Sequence, residues 1–321
     1  MDCATTHSTC YQESCSGLPT RVVDVSQRNQ NPHLVLSTGD EEVAYVALSH
    51  CWGPLVPGSR LLRTTSVNIE SMRREIPLES MPQNFQDAVT VTRMLGLHYL
   101  WIDSLCIIQD SKEDWEKEGA KMGDIYKNAF VTIAATSASR SEDGFLKYST
   151  NDSRTAILLP ALSASEESGE LILQETTHTA SHWEEAVESS TWNDRAWTMQ
   201  ERFLARCVIH FSKHQIYWEC HAHNEDPAEE IGGPSFMHEL YTWWYIIAAQ
   251  YSSRKLTYAS DKLPALSGIA AEMLSLASPH VSDRYLCGIW EEDLAHGLLW
   301  RYSETRNHMC HPSRTPSWSW A

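Results

Sequence analysis

Nowhere do the 321 residues approach the roughly 18 consecutive apolar residues that a membrane-spanning helix needs. The best run, Trp243 to Ala249, is far too short, so no membrane partner is expected. Basic residues are also scarce: 25 Lys and Arg stand against 42 Asp and Glu, for a formal charge of −17. Nonspecific binding to nucleic acid needs basic surface, so nucleic acid is not an expected partner. The first residues, MDCATTHSTC, lack both the basic start and the apolar segment of a signal peptide. A cytoplasmic, or nuclear, location is expected. The nine cysteines lack the even count of a disulfide framework, and Cys51, Cys106 and Cys207 fall in or beside apolar segments. Reduced thiols follow. From Thr155 to Asp194 there is no Lys or Arg at all, while Glu166, Glu167, Glu170, Glu175, Glu184, Glu185 and Glu188 accumulate. This reads as an acidic, solvated insertion over about 150–190 around one strand, Glu170 to Gln174.

What is present fits a globular chain: 42% hydrophobic residues, with 13 Trp and 12 Tyr. Val43 to Leu48 (VAYVAL) is short, β-rich and followed by Gly53 and Pro54, as a buried strand would be. Pro82 precedes Phe85, Ala88, Val89, Thr92 and Leu95 at helical spacing, and Gly96 supplies the stop. Tyr99 to Ile102 is a second strand. Ser111 caps a second helix, with Asp114 at the third position of a variant capping box, running to about Lys127. Phe130 to Ala135 (FVTIAA) is a third strand. A further helix near Asp194 to Leu204, a hairpin from Arg206 to Glu219 and a largely helical remainder complete the reading. Strand alternating with helix predicts an α/β fold, a parallel doubly wound sheet elaborated by the hairpin and the helical C-terminal part. The three strands should be parallel neighbours.

Ligands of open α/β sheets bind beyond the carboxyl ends of the strands. Those ends carry Ser49, His50, Cys51, Trp52 and Gly53 after the first strand and Asp103, Ser104 and Cys106 after the second. On the Ser111 helix, 100° per residue places Trp115, Gly119, Met122, Ile125, Tyr126 and Ala129 on one inward stripe, and Glu118 lies on the same stripe. A buried carboxylate must be paired, neutral or facing a cleft. Glu118 is therefore either a ligand-facing carboxylate or a structural one held by an Arg or a neighbouring loop.

Other motifs have plainer readings. Ser49, His50 and Cys51 are adjacent on an extended chain, so their side chains alternate in direction and form no relay. Cys51 and Cys106 read as buried structural thiols sooner than as nucleophiles. Cys3, His7 and Cys10, with Cys220, His221 and His223, lack zinc-finger spacing, and no metal is expected. Arg195, Trp197, Gln200, Glu201 and Arg202 cluster near one short helix, either as a buried ion-pair network or as a second wall of the pocket. Trp243, Trp244 and Tyr245 read as helix-packing core.

Three blocks resemble the fungal heterokaryon-incompatibility (HET) domain in order: YVALSHCWG (Tyr45 to Gly53), the long block Tyr99 to Thr136, and RAWTMQERFLA (Arg195 to Ala205) with its hairpin ending in YWEC. LPTRVVDV near the start, RKLTYASDKLPALSGIA (Arg254 to Ala270) and PSWSWA at the end extend the likeness over nearly the whole chain. Family members commonly continue past the last block, so a fragment of a longer protein is one expectation. The resemblance implies one integrated domain over 1–321, with an N-terminal segment (1–42), an α/β core (43–136), the acidic insertion and a hairpin-plus-helical part (191–321). It also implies a role in programmed cell death.

The HET domain is itself similar to the TIR domain, a flavodoxin-like innate-immunity module whose enzymatic members hydrolyse NAD. The TIR catalytic Glu follows a Trp on a helix. Trp115 and Glu118 match that arrangement with a spacing one residue different, and Glu116 is the weaker candidate. The likeness implies Glu118 as the catalytic carboxylate and NAD as a substrate, with no separate cofactor. Ser49, His50, Cys51, Trp52, Gly53, Asp103 and Trp115 would then bind it, Trp52 or Trp115 stacking on a ring and backbone N–H groups near Ser49 to Gly53 meeting phosphates. Activation by self-association or by an upstream sensor protein is expected. The rival expectation is a non-enzymatic module that self-associates to recruit death partners.

Overall fold

The fold is described from a computed structural model covering residues 17–27, 30–39, 43–54, 61–147, 157–161, 169–173, 180–220, 234–277, 283–301, 316 and 318–321. Its centre is a seven-stranded sheet. In chain order the strands are β1 (Arg21–Asp24), β2 (His33–Leu36), β3 (Tyr45–Ser49), β4 (Tyr99–Trp101), β5 (Val131–Ala134), β8 (Cys207–Phe211) and β9 (Ile216–Cys220). In space they run β2-β1-β4-β3-β5-β8-β9. The four central strands are mutually parallel, β3 pairing with β4 and β5, and β5 with β8. The expectation of parallel neighbours holds for all three strands read from the sequence. Both edges, however, are antiparallel: β1 pairs with β4 and β2, and β9 with β8. The sequence reading found the second edge and missed the first, because β1 and β2 are four residues each and show no measurable periodicity.

Helix α1 (Ile69–Arg74) packs beside β2, and α2 (Gln83–Met94) carries the chain from β3 to β4. Its buried residues include Phe85, Ala88, Val89 and Thr92, the stripe expected behind Pro82. After β4 come the short α3 (Asp103–Cys106), α4 (Lys112–Gly119) and α5 (Met122–Asn128). The β3-to-β4 and β4-to-β5 connections step in opposite directions across the sheet. Right-handed crossovers then put α2 on one face and α5 on the other, which is the doubly wound arrangement.

The helix expected from Ser111 to Lys127 is two helices. Ser111 Oγ does accept from the Asp114 N–H at 3.2 Å. At Lys121 the chain tightens, its N–H bonding the Glu118 carbonyl three residues back, and the helix is interrupted between Gly119 and Met122. The inward stripe nonetheless survives: Glu118, Gly119, Met122, Ile125, Tyr126 and Ala129 are all buried, and Trp115 is half-buried.

Strands β6 (Ile157–Ala161) and β7 (Gly169–Leu173) form a separate antiparallel pair. The strand expected at Glu170 to Gln174 is thus present and has a partner, while much of the acidic segment lies outside the described residues. Helix α6 (Ala180–Trp183) continues into a π-turn at Glu184–Glu188, followed by α7 (Ala196–Phe203). The remainder holds α8 (Pro234–Ser252), α9 (Pro264–Ala277), the small hairpin β10 (Tyr285–Leu286) and β11 (Ile289–Trp290), and α10 (Leu294–Gly297).

Helices α5, α7 and α9 touch one another on one side of the sheet. The crossing of α5 and α9 depends on two glycines: a Cβ on Gly268 would lie 3.1 Å from the Gly123 Cα and 2.6 Å from Gln200 Oε1. Gln200 Oε1 in turn accepts the Gly268 N–H at 2.9 Å. Trp244, at 0% exposure, anchors α8 in the second apolar cluster with Trp290 and Ile269, as a core residue should. Among the described residues no helix is long and apolar enough to cross a membrane.

Candidate functional site

In the order β4-β3-β5-β8 the chain reverses direction between β3 and β5, and the crevice of such a sheet lies there, beyond Ser49 and Ala134, which are register partners. Alternation along β3 sends the Ser49 side chain toward α7 and that of His50 toward α2. Ser49 Oγ donates to Glu201 Oε2 and accepts from Trp192 Nε1 at 2.7 Å. His50 packs edge-on to Phe85 of α2, ring centroids 5.1 Å apart. The two point apart, as expected for adjacent residues of an extended chain.

The guanidinium of Arg195, at the start of α7, donates to the His50 carbonyl. Its charge faces Glu201, Cys51 and Asp103. Burial works to lower its pKa and these groups outweigh that, so it stays charged. Asp103 accepts from Trp52 Nε1 at 2.8 Å and from the Ser104 N–H at 2.7 Å. Burial raises the Asp103 pKa against the opposing pull of Arg195 and these two bonds. Burial likewise pushes Glu201 up to about 7, with Arg195 and the Ser49 hydroxyl resisting.

The same burial, reinforced by Arg195, holds His50 near 3 and therefore neutral. Its Nε2 has no hydrogen-bond partner among the described residues. Burial raises the Cys51 thiol and pushes Cys106 up to about 12, so neither is a ready thiolate nucleophile.

These groups form two layers. Ser49, Trp192 and Glu201 are a sealed floor on the α7 side, with Glu201 at 2% exposure, and His50 is sealed on the α2 side. Trp52, Gly53, Asp103 and Arg195 are half-buried and form the rim, joined by the Trp52–Asp103 bond and the charge of Arg195; Trp115 and Trp197 are half-buried as well. Trp115 and Trp197 meet edge-to-face with centroids 6.5 Å apart, and Trp197 Nε1 donates to Asp261 at 3.2 Å. Two surface depressions, of about 620 and 500 Å³, lie elsewhere beside α1, lined by residues such as His33, Arg74, Met72 and Ile76.

Glu118 is inward, as its stripe position requires, but its recorded partners are not those of the cluster. Its Oε1 accepts from Thr20 Oγ1 at 2.9 Å and lies 3.4 Å from Lys121 Nζ. Thr20 precedes β1, so these contacts tie α4 to the strand next to β4, beside the bond from Arg21 to Asp114. Glu116 is exposed and pairs with Lys112. Gln200, also named from sequence, serves the α9 contact.

Residues 45–201 match the family model of the heterokaryon incompatibility protein (HET). The chain carries a HET domain. The matched segment starts on the first residue of β3 and ends on Glu201, so it contains every floor and rim residue named above. A role related to heterokaryon incompatibility follows for the HET domain. No curated protein and no solved structure was found to match the chain.

Beyond the HET match, Arg202 links two acidic residues: it bonds Glu188 at 2.8 Å and Glu219 at 2.9 Å. Glu219 also meets His210 Nε2 at 2.7 Å. Burial alone would raise Glu219, but the bonds from His210 and Arg202 hold it down at about 2. This network, with Arg254 bonded to the Asn193 carbonyl, secures the segment that delivers Trp192 and Arg195. Sequence reasoning left Arg202 in a cluster that was either a buried network or a pocket wall and did not find its partners, which lie 14 and 17 residues away. Cys220 is buried at the end of β9; Cys3, His7, Cys10, His221 and His223 lie outside the described residues. Among the described residues no group of His, Cys, Asp or Glu is arranged to hold a metal.

Proposed function

We propose that this HET domain cleaves the nicotinamide–ribose bond of an NAD-type dinucleotide and that Glu201 is the carboxylate facing the reacting sugar. The observation that carries the reading is a buried carboxylate at the strand-order reversal, held by Ser49 and opposed by Arg195. The bond between C1′ and the pyridinium nitrogen breaks with its electron pair going to nicotinamide. The ribosyl cation left behind takes the oxygen of a water, whose proton passes to solvent, giving ADP-ribose. An ionised carboxylate beneath the ring stabilises that cation. Glu201 follows Trp197 on α7 much as Glu118 follows Trp115 on α4, so the TIR-like pattern of a Glu behind a Trp has two candidates here. The Lys121 and Thr20 contacts of Glu118 are those of a structural ion pair, which favours Glu201.

Sealing of the Glu201 carboxylate fits a restrained enzyme, released by self-association or by an upstream sensor. Incubation of the purified, forcibly clustered chain with NAD tests the reading through release of nicotinamide and ADP-ribose. No release under those conditions contradicts it and favours the second reading, a self-associating module without catalysis. That reading draws on exposed apolar side chains: Ile216 and Trp218 on edge strand β9, and Trp243 and Ile246 on α8.

A further inference from the structure

We propose that Cys207 and Cys220 form a reversible disulfide across the β8–β9 hairpin, an oxidant-sensitive site on the sheet face opposite Glu201. Neither cysteine takes part in the proposed cleavage.

The two are register partners, Cys207 the first residue of β8 and Cys220 the last of β9. Register partners of an antiparallel pair project to the same face, and both side chains belong to one buried cluster with Phe211, at 6% and 5% exposure. The turn decides which kind of pair they make. The Ser212 N–H donates to the Gln215 carbonyl at 3.2 Å, so these two residues are a hydrogen-bonded pair. Bonded and non-bonded pairs alternate along an antiparallel ladder, and the register runs unbroken from the Phe211–Ile216 pair to the Cys207–Cys220 pair. Counting back from Ser212, the cysteines fall on a non-bonded pair. Such pairs hold their Cα atoms about 4.5 Å apart with the side chains drawn together, and a disulfide spans Cα separations of about 4.4–6.8 Å. Closing the bond therefore needs rotation of two side chains and no shift of the backbone.

The pair is separate from the site around Glu201. Ser49, Ala134, His210 and Tyr217 lie in one register row across the sheet, on the face that meets α7. Cys207 comes three positions before His210 and so points to the other face. Cys51 and Cys106 lie in no strand, so no ladder sets one of those thiols opposite another.

The oxidant is a peroxide. One thiol takes an oxygen atom from hydrogen peroxide and becomes a sulfenic acid, releasing water. The second thiol attacks that sulfur, the S–O bond breaks as the S–S bond forms, and a second water leaves; each sulfur gives up one electron to the peroxide oxygens. A small dithiol reverses the reaction by exchange and is itself oxidised. In a reducing compartment such a pair rests as thiols, the state in the structure. Oxidation ties the end of β9, the last strand of the sheet, to β8, beside the Glu219 that holds Arg202.

The test uses the intact, fully reduced chain, with hydrogen peroxide as the oxidant. Remaining thiols are alkylated in denaturant and the protein is digested with trypsin, which cuts after Arg206, Lys213 and Arg254 and so puts the two cysteines on different peptides. The expected product is peptide 207–213 joined to peptide 214–254, two hydrogens lighter than the pair and separated again by dithiothreitol. Oxidised wild type should melt about 5 °C above the reduced protein, because the bond closes a short loop, and Cys207→Ser and Cys220→Ser should each abolish both the linked peptide and the shift. Recovery of both cysteines as alkylated thiols overturns the proposal. So does their separate oxidation to sulfinic acid without a linked peptide, or their linkage to other cysteines or to a second chain.

Discussion

Two inward carboxylates sit near the carboxyl ends of one sheet, Glu118 on the β1–β4 side and Glu201 at the β3–β5 reversal, and each is 2% exposed. Their surroundings differ. Glu118 has a half-exposed lysine and a threonine for company, an arrangement that asks little of the rest of the fold. Glu201 shares one buried guanidinium with Asp103, touches Ser49, and has its pKa raised to about 7 by burial. Inward direction is thus a weak criterion for chemistry. What separates the two positions is the set of groups packed around each carboxylate, a half-exposed lysine and a threonine at Glu118 against a shared guanidinium, a second carboxylate and a buried serine at Glu201.

The sharpest way to break this comparison is to remove the cation from each side. Arg195→Met leaves Glu201 and Asp103 without their cation and the His50 carbonyl without its donor, and should cost about 3–5 kcal/mol. Lys121→Met removes a partner whose side chain is 45% exposed and should cost less than about 1 kcal/mol. Denaturant unfolding of both variants measures the difference; equal losses would mean that the two sites are equivalent.

A smaller contrast concerns glycines near the two carboxylates. Gly268→Ala forces a methyl against Gln200 and Gly123 where α9 crosses α5, and should cost about 1–3 kcal/mol through overpacking. On α4, a methyl at Gly119 would meet only Trp115 ring atoms at 3.9 Å, and Gly119→Ala should stabilise by up to about 1 kcal/mol. Thermal melts of the pair check the signs. A harmless Gly268→Ala would show that the C-terminal helices are not firmly seated on the α7 side.

The pH dependence is subtler and has opposite signs in two places. Glu201 has its pKa raised from 4.5 to about 7, so its contribution to stability is full below 4.5 and is lost as pH rises through about 7. Glu219 has its pKa lowered from 4.5 to about 2, so its contribution is present above 4.5 and is lost as pH falls through about 2. Glu201→Gln should therefore flatten the stability profile between pH 5 and about 8, while Glu219→Gln flattens only its acid limb. Unchanged profiles in both variants would contradict the assigned environments.

Local signals made much of the sheet legible. VAYVAL and FVTIAA are apolar runs bounded by breakers, and they appear as β3 and β5 with shifts of one or two residues. Pro82 and Ser111 mark real helix starts. The β1–β2 hairpin was not legible, because four-residue strands owe their pairing to β4, some 75 residues further along the chain. The break at Lys121 was hidden because the inward stripe continues across it.

Glu201 was read from the sequence only as one of a group, either a buried ion-pair network or a second wall, and the reason is physical. Four consecutive α7 residues, Thr198 to Glu201, are buried. A helix buried nearly all round offers no solvent face against which an inward carboxylate stands out. The available signal was its position in the last turn of a helix that leads into a strand, four residues after Trp197.

The most direct test of the central claim is NAD cleavage by clustered wild type, Glu201→Gln and Glu118→Gln measured side by side, with folding verified by circular dichroism. The account predicts that Glu201→Gln loses at least about 100-fold in kcat, as removal of a transition-state charge contact does. It also predicts that wild-type kcat rises with pH through about 7 as Glu201 ionises, and that Glu118→Gln keeps its activity at a modest cost in stability. A folded Glu201→Gln protein that cleaves NAD at the wild-type rate, with activity lost in Glu118→Gln instead, would contradict the account and move the chemistry to the β1–β4 side.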